Sequence, residues 1–417
     1  MELLSPAGNF ERLKFALHYG ADAVYCGTKS YGLRAMAENF SFDELYEAAT
    51  YVHSRNKRIY VTVNAFLRNE DLKALPSTLK TLQSCNVDAL IVSDPAVIEA
   101  ARTHIPGMEL HLSTQANTTN AASARFWHRL GIQRIVLARE LSIEEIRQIR
   151  EDTPETLELE AFVHGAMCVS YSGRCLLSNF LNGRDGNRGE CVQPCRWQYE
   201  IREKGKNGLW LPMEEDERGT YILNSRDLNM IAHLKELQQA GVMSAKIEGR
   251  MKTALYVAAI TNAYRIALDD LAAGKPFDTR LETELEKPRH RPYTTGFYFG
   301  KGPTEQTDTN DCPQTHEFVA MVLQPDPKNR RALIVQKNRF FATDVLERLT
   351  PGSLGREFSV TRLETEEGEV VSAAPHPAQR LWLYTDEPLQ SMDILRKKLW
   401  LYTDEPLQSM DILRKKL

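Results

Sequence analysis

The sequence lacks any run of about 18 consecutive apolar residues, the length that a membrane-spanning helix needs. Its first residues, MELLSPAGNFERLKF, carry charges and have no uninterrupted apolar core, so they do not predict a signal peptide. The net charge of −4 gives the chain no global attraction to nucleic acid or to anionic lipid. We therefore expect a cytoplasmic protein with no membrane partner, in which any RNA binding depends on a local basic patch.

The common motifs of hydrolases and nucleotide-binding proteins are also missing. No P-loop, G-x-G-x-x-G or G-x-S-x-G pattern occurs, and HEFVA at His316 lacks the second histidine of a zinc-protease helix. A nucleophile pair of Cys168 and His164 stays open, but three further cysteines nearby would then have no purpose. The sequence thus offers no recognisable proteolytic machinery.

Short β-rich runs alternate with amphipathic helical segments from residue 2 to about residue 265. This alternation is typical of repeated βα units around a parallel sheet. Nine candidate strands are present, which favours an α/β fold of the TIM-like (β/α) barrel type over a doubly wound sheet. Because a closed barrel takes eight strands, we expect YILNS at 221–225 to lie outside it, or the barrel to be irregular.

The composition changes near Lys287, where Pro, Gly and Thr become frequent. The predicted divisions are a barrel domain over 1–286 with a cysteine-rich segment at 164–197, a linker with loops over 287–315, and a small antiparallel β-barrel over 316–399. Residues 400–417 repeat residues 382–399 letter for letter. We do not expect this unlinked exact copy to form part of the fold.

Polar residues follow the predicted strands at the points where the strands end. In a β/α barrel the active site lies at these carboxyl ends. The residues predicted as catalytic are Arg34, His164, Lys246 and Glu248, and those predicted as substrate-binding are Asn64, Gln115, Arg139 and Arg250. Any one of them alone is equally explained as a solvated loop residue or a helix cap. Together the basic members could hold a dianionic substrate, since guanidinium groups pair with carboxylates.

Two of these basic residues lead to an expectation about variants. Arg34→Ala and Lys246→Ala are expected to lower activity without unfolding the barrel, because loop cations at the strand ends serve a bound dianion rather than the scaffold. The expected loss of binding is about 1.5–3 kcal/mol for each contact with a charged group.

Four of the seven cysteines lie in one segment, HGAMCVSYSGRCLLSNFLNGRDGNRGECVQPC at 164–195. In a reducing compartment, clustered cysteines bind metal more often than they form disulfides. Six residues separate Cys168 from Cys175, and three separate Cys191 from Cys195. Only the second pair fits a structural zinc knuckle, whereas iron–sulfur clusters tolerate irregular spacing. Spacing alone therefore leaves zinc and an iron–sulfur cluster both open, with inert cysteines as a third alternative.

Basic residues are interspersed with these cysteines. Residues 164–197 contain four arginines against two acidic residues, a local positive balance in an acidic protein. Such a balance is typical of binding to nucleic-acid phosphates. The predicted RNA-binding residues are Arg174, Arg184, Arg188 and Arg196.

Long strings of this sequence resemble the peptidase U32 family, also called collagenase-like proteases. They include ELLSPAGNFERLKFALHYGADAVYCG, HLSTQAN, SGRCLLSNFLNGRDGNRGECVQPCRW and KIEGRMKTALYVA, over about residues 1–300, and the resemblance extends through the small β domain. Within the family, SGRCLLS, C-x3-C-R-W and KIEGR-x-K are most similar to the prephenate-dependent tRNA uridine hydroxylases. Those enzymes make 5-hydroxyuridine at the wobble position of tRNA without molecular oxygen.

This resemblance implies a cofactor, a co-substrate and a partner. It implies a 4Fe-4S cluster held by Cys168, Cys175, Cys191 and Cys195, prephenate as co-substrate and tRNA as partner. Prephenate is a dicarboxylate, which agrees with the basic residues at the strand ends. Two alternatives stay open: a metal- or cysteine-dependent peptidase, and a non-catalytic subunit of a hydroxylase complex that works with a paralogous partner subunit.

Overall fold

The computed structural model describes residues 1–29, 31–32, 38–168, 170–196, 215–216, 219–220, 226–300 and 312–399. The chain divides into two compact units. One is Met1–Pro313 with Leu349–Gly355, and the other is Gln314–Arg348 with the chain from Arg356. Within the described ranges, no helix is long and apolar enough to cross a membrane.

The first unit contains alternating strands and helices, as the sequence predicts. Its strands are β1 (Glu2–Pro6), β2 (Ala23–Gly27), β3 (Arg58–Val63), β4 (Ala89–Val92), β5 (Glu109–Leu112), β6 (Arg134–Val136), β7 (Glu158–Ala166), β8 (Glu215–Asp216), β9 (Gly219–Thr220), β10 (Asp227–Asn229), β11 (Ser244–Ile247) and β12 (Tyr293–Thr294). Its helices are α1 (Phe10–His18), α2 (Phe42–His53), α3 (Leu75–Ser84), α4 (Pro95–His104), α5 (Ala121–Arg129), α6 (Ile143–Glu151), α7 (Leu177–Asn182), α8 (Leu234–Gln239), α9 (Ala254–Ala272) and α10 (Arg280–Leu285).

Eight parallel strands close into a TIM-like barrel, which confirms the predicted fold class. Strands β1 to β7 pair in chain order, and β11 pairs in parallel with both β7 and β1, which completes the ring. Local sequence sets where the surrounding helices begin. Ser41 and Ser142 each form a capping box with the glutamate three residues later, at the starts of α2 and α6.

Two short strands extend the sheet beyond the barrel. β10 pairs antiparallel with β7, with Asn229 opposite His164, and β12 pairs in parallel with β10. The YILNS segment, which the sequence predicts outside the barrel, lies outside the described residues. The segment predicted as a linker over 287–315 contains β12, and its residues up to Pro313 belong to the barrel unit.

The described part of the second unit contains an antiparallel sheet of eight strands and one separate pair of strands, which confirms the predicted small β domain. Its strands are β13 (His316–Asp326), β14 (Arg331–Gln336), β15 (Phe340–Phe341), β16 (Val345–Leu349), β17 (Arg356–Ser359), β18 (Arg362–Thr365), β19 (Val370–Val371), β20 (Ala373–Ala374), β21 (Arg380–Tyr384) and β22 (Ile394–Lys398). The order in the sheet is β17-β16-β22-β13-β14-β21-β18-β19, and β15 pairs separately with β20.

Removal of residues 400–417, which lie outside the described residues, is expected to leave the melting temperature of the protein unchanged. The first copy of this sequence supplies β22, which pairs with β13, and buries Leu383 and Leu395 completely. Because the first copy already fills the place that this sequence fits, the second should add no packing. A calorimetric scan of the chain ending at Leu399 beside the full chain checks this. A clear fall in melting temperature would show that the second copy is built into the fold.

Candidate active site

A cavity of about 170 Å³ lies at the carboxyl ends of the barrel strands. Side chains from β2, β3, β4, β7 and β11, the loops after β3, β5 and β6, and the cysteine-rich segment line it. The predicted site residues among them are Asn64, Gln115, Arg139, Lys246, Glu248, Arg250, Cys168, Cys175, Cys191 and Cys195. The structure therefore brings most of the predicted catalytic, substrate-binding and metal-binding residues to one place.

The other two predicted catalytic residues are Arg34 and His164. Arg34 lies outside the described residues. His164 is completely buried, and its ring contacts the rings of Tyr256, Tyr264 and Tyr293. His164 lies near the carboxyl end of β7, where the sequence predicts it, but its side chain faces the tyrosines of α9 and β12 and does not line the cavity. A catalytic role for His164 stays a prediction. Burial lowers the pKa of His164 to about 3, so its imidazole is neutral at physiological pH.

A chain of buried charges fills the barrel beneath the cavity. Lys246 Nζ donates to Glu160 Oε1 at 2.7 Å, and Arg134 Nη1 lies 3.2 Å from Glu160 Oε2 and 2.6 Å from Glu2 Oε1. Burial by itself would raise the pKa of Glu160, but the charges of Lys246 and Arg134 outweigh it and lower this pKa to about 2. Lys246 therefore reaches the cavity with its charge already balanced by a buried carboxylate. Sequence reasoning missed Glu160, whose only signal was a charge inside a buried strand.

Arg139 lies at the wall of the cavity and is almost fully buried. Its guanidinium stacks over the Phe162 ring at 3.8 Å, donates to the Ala166 carbonyl at 2.6 Å and lies 3.8 Å from the Glu248 carboxylate. Among the described residues, Arg139 Nε and Asn64 Oδ1 are buried without a hydrogen-bond partner. An unsatisfied buried polar group costs about 1–3 kcal/mol. A polar substrate that bonds to these two atoms would remove that cost.

Asn64 and Gln115 are held together by one hydroxyl group. Asn64 Nδ2 donates to Ser113 Oγ at 3.2 Å, and Ser113 Oγ donates to Gln115 Oε1 at 3.1 Å. Ser113 and Gln115 are buried at the end of β5, and Asn64 follows β3. This network fixes two amide side chains in the cavity wall before any substrate arrives.

Arg250 lies in a space that two glycines leave open. It is buried, and its Nη1 donates to Thr62 Oγ1 at 3.1 Å. A Cβ atom on Gly27 would lie 2.1 Å from Arg250 Nη1, and one on Gly8 would lie 2.1 Å from the Arg250 carbonyl oxygen. Both distances are far below contact, so these positions admit only glycine while Arg250 lies where it does.

The four clustered cysteines line the same cavity. All seven cysteines lie in the described part of the chain, and none of them forms a disulfide. Cys168 and Cys191 are exposed, whereas Cys175 and Cys195 are half-buried. Within the described ranges, no three His, Cys, Asp or Glu side chains are grouped closely enough to hold a metal ion. The four thiols thus share one wall without converging on one point.

The surroundings of Cys191 suit a metal-binding thiolate. The backbone N–H of Gln193 lies 3.4 Å from Cys191 Sγ. A Cβ atom on Gly186 would lie 3.3 Å from the Cys191 Cβ, so a side chain there would crowd the loop beside the thiol. Hydrogen bonds to sulfur are one of the factors that tune iron–sulfur clusters. The N–H group beside Cys191 therefore suits a cluster ligand at this one thiol, although the four thiols do not converge in this structure.

The predicted RNA-binding arginines differ in their environments. Arg174 is exposed and Arg184 is half-exposed, whereas only the backbone of Arg196 is described. Arg188 Nη1 pairs with Asp71 Oδ2 at 2.7 Å, which raises the pKa of Arg188 and lowers that of Asp71. This ion pair anchors the cysteine-rich segment to the loop after β3. An RNA contact stays a prediction for all four arginines.

Comparison with known proteins adds to this geometry. The model of Peptidase family U32 matches residues 8–308, and that of the Peptidase family U32 C-terminal domain matches residues 314–396. The chain is 39% identical to tRNA hydroxylation protein P of Escherichia coli strain K12, over 93% of this chain and 94% of that protein. It is 39% identical to tRNA hydroxylation protein P1 of Bacillus subtilis strain 168, over 95% and 94%. It is 33% identical to a protein named Collagenase from Porphyromonas gingivalis, over 76% and 78%.

Proposed function

This chain belongs to peptidase family U32, and from that membership we propose that it is an enzyme that hydroxylates tRNA. Two similar proteins, matched over nearly their whole length, are named for tRNA hydroxylation. The observation that carries the proposal is the cavity at the carboxyl ends of the barrel strands, where four thiols and a set of fixed polar side chains lie together.

The proposed reaction is 5-hydroxylation of the wobble uridine, with prephenate as co-substrate and without molecular oxygen. With water as the source of the oxygen atom, replacing the C5–H bond by a C5–OH bond releases two protons and two electrons from the base and the water. The site therefore needs a redox-active group that passes the two electrons to a soluble electron acceptor. We propose that Cys168, Cys175, Cys191 and Cys195 hold a 4Fe-4S cluster, which supplies electron transfer when bound. The shared cavity wall and the N–H group beside Cys191 support this assignment.

The polar side chains are proposed to bind prephenate and to move a proton. Arg139 and Arg250 supply two guanidinium groups for its two carboxylates, with Asn64 and Gln115 as fixed amide partners. Lys246 is held by Glu160 and offers an N–H group from the cavity floor. Glu248 lines the cavity near Arg139, and we propose that it accepts the proton that C5 of uridine releases.

Gly27→Ala is expected to weaken prephenate binding more than tenfold. The added methyl group would occupy the position of Arg250 Nη1 and displace the guanidinium, which removes a contact worth about 1.5–3 kcal/mol. Isothermal titration of each variant with prephenate measures the change.

A double-mutant cycle separates this displacement from general damage. Lysine has no Nη1 atom, so Gly27→Ala should cost little further affinity in an Arg250→Lys background. Equal losses in both backgrounds would show that Gly27 does not act through Arg250.

A cysteine peptidase is the alternative that the family name and the Collagenase relative suggest. It would need a nucleophile and a base within hydrogen-bond reach. The Cys168–His164 pair that the sequence left open does not meet this need, since Cys168 lines the cavity and His164 faces α9 and β12. The described residues therefore favour the hydroxylase.

Nucleoside mass spectrometry of tRNA from a deletion strain tests the proposed function. We expect hydroxylated uridine to disappear and to return when this gene alone is restored. Return only when a paralogous gene is also present would show a non-catalytic or shared subunit. Unchanged nucleosides in a strain without paralogues would exclude the proposal.

A further inference from the structure

We propose that an exposed apolar surface on the cysteine-rich segment stacks the unpaired RNA nucleotides that flank the target uridine. This stacking surface consists of Tyr171, Leu176, Phe180 and Leu181. The inference rests on the proposed function, because it assigns the part of the protein that recognises single-stranded RNA. It adds residues that are neither catalytic nor basic.

The side chains of the stacking surface are exposed to an unusual degree. Phe180 is 85% exposed, Leu176 65%, Tyr171 45% and Leu181 44%. The N–H of Phe180 donates to the carbonyl of Leu176 at 2.8 Å, so these two residues lie one helical turn apart on the same face. Exposed apolar clusters of this kind mark binding surfaces on soluble proteins.

The stacking surface is continuous with the cavity. Tyr171 is exposed and also lines the cavity. Ser178, the second residue of α7, is buried and lines the cavity as well. Helix α7 therefore turns one side to the cavity and carries Phe180 on its solvent side. A nucleotide bound in the cavity would therefore lie beside this segment.

The charge around the stacking surface favours RNA as its occupant. From Tyr171 to Arg184 the sequence contains two arginines and no acidic residue, in a chain whose net charge is −4. Aromatic faces flanked by arginines are the usual means of holding single strands, because every base has a π-face and every nucleotide a phosphate. A symmetric contact with a second copy would instead bring the same arginines of both copies together, which is unfavourable for like charges.

The class of RNA follows from the place of the cavity. The residues proposed to act on the base lie at the carboxyl ends of the barrel strands, so C5 of the target uridine has to reach into the cavity. The target base must leave its stack to enter, and its neighbours then lose a stacking partner. Bases in loops can be splayed out in this way, whereas bases in a duplex resist it. Phe180 and Tyr171 replace the lost stacking.

Fluorescence anisotropy with the full chain, purified anaerobically, tests this inference. The probes are an anticodon stem-loop RNA and a fully paired duplex of equal length. Phe180→Ala should weaken stem-loop binding at least fivefold, the lower end of what one stacked base contributes. Phe180→Tyr, which keeps an aromatic face, should bind within twofold of wild type. Phe126→Ala is the matched control, since Phe126 is 48% exposed on α5, away from the segment.

Other outcomes would overturn the inference. One is that the Phe180→Ala and Phe126→Ala variants bind the stem-loop with equal affinity. Another is that Phe180→Ala weakens binding of the duplex as much as binding of the stem-loop. If Phe180→Ala converts an oligomer into a monomer in light scattering, the surface binds a second copy instead. The proposed function can fail separately. If the chain binds the stem-loop through Phe180 but does not hydroxylate tRNA, the inference about the stacking surface stands and the proposed hydroxylase activity is wrong.

Discussion

Cys175→Ser is expected to abolish both iron binding and tRNA hydroxylation. A serine hydroxyl stays protonated at neutral pH and cannot replace a thiolate ligand, so a cluster with four cysteine ligands loses one corner. Anaerobically purified wild-type protein should contain about four irons per chain, as a cubane requires. The variant should retain a small fraction of this iron and show no visible cluster absorption.

Cys312→Ser is the matched control for this experiment. Cys312 is half-buried and does not line the cavity, so its loss should change neither iron content nor activity. Stoichiometric zinc without iron in the wild type would contradict the cluster and favour a structural zinc site. A Cys175→Ser enzyme that still hydroxylates tRNA would exclude a catalytic role for the cysteines.

Glu160→Gln is expected to lower the free energy of unfolding by about 3–5 kcal/mol. Glu160 is completely buried between Lys246 and Arg134, and an amide would leave both cations without their shared counter-charge. Urea unfolding of the variant beside the wild type measures the change. Glu144→Gln is the control: Glu144 pairs with Arg147 on the exposed surface, where an ion pair contributes at most about 1 kcal/mol.

The pH dependence of stability provides a second measure of the same ion pair. The pKa of Glu160 is lowered from its ordinary 4.5 to about 2 in the folded protein. Its contribution is therefore fully present above pH 4.5 and is lost as the pH falls through about 2. Glu160→Gln should remove this part of the acid sensitivity. Parallel stability curves for both proteins below pH 4.5 would contradict the assignment.

The same ion pair corrects the expectation for Lys246. The sequence predicted that Lys246→Ala would lower activity without affecting the barrel. Because removal of Lys246 leaves Glu160 buried beside one cation instead of two, the fold should lose stability as well. Lys246→Ala is therefore a poor probe of substrate binding. The prediction that Arg34→Ala lowers activity without unfolding the barrel is unchanged.

The barrel could be predicted from the sequence because each of its strands is a short apolar run followed by a helical period. The direction of the His164 side chain could not be predicted from the sequence. Phe162 lines the cavity, and strict alternation along β7 would place His164 on the same side. The pairing of β7 with β11 shifts register between Lys246 and Ile247, opposite this point. Such an irregularity re-aims side chains, and no residue pattern announces it.

Ion pairs between residues far apart in the sequence could not be predicted either. Arg188 meets Asp71 from 117 residues away, and Arg134 meets Glu2 from 132 residues away. Neither pair has a spacing that a helix or a strand would reveal. In contrast, the four cysteines could be expected near the cavity, because the segment that carries them follows the seventh barrel strand and so had to begin at its carboxyl end.

Reconstitution with purified components tests the central claim most directly. The iron-loaded chain is incubated without oxygen with prephenate, a soluble chemical electron acceptor and tRNA from a strain that lacks the modification. The masses of the nucleosides are then measured by mass spectrometry. We predict a uridine heavier by one oxygen atom when prephenate is present and none when it is omitted. Unmodified uridine in both reactions, from protein with its full iron content, would contradict the proposal that this chain is a tRNA hydroxylase.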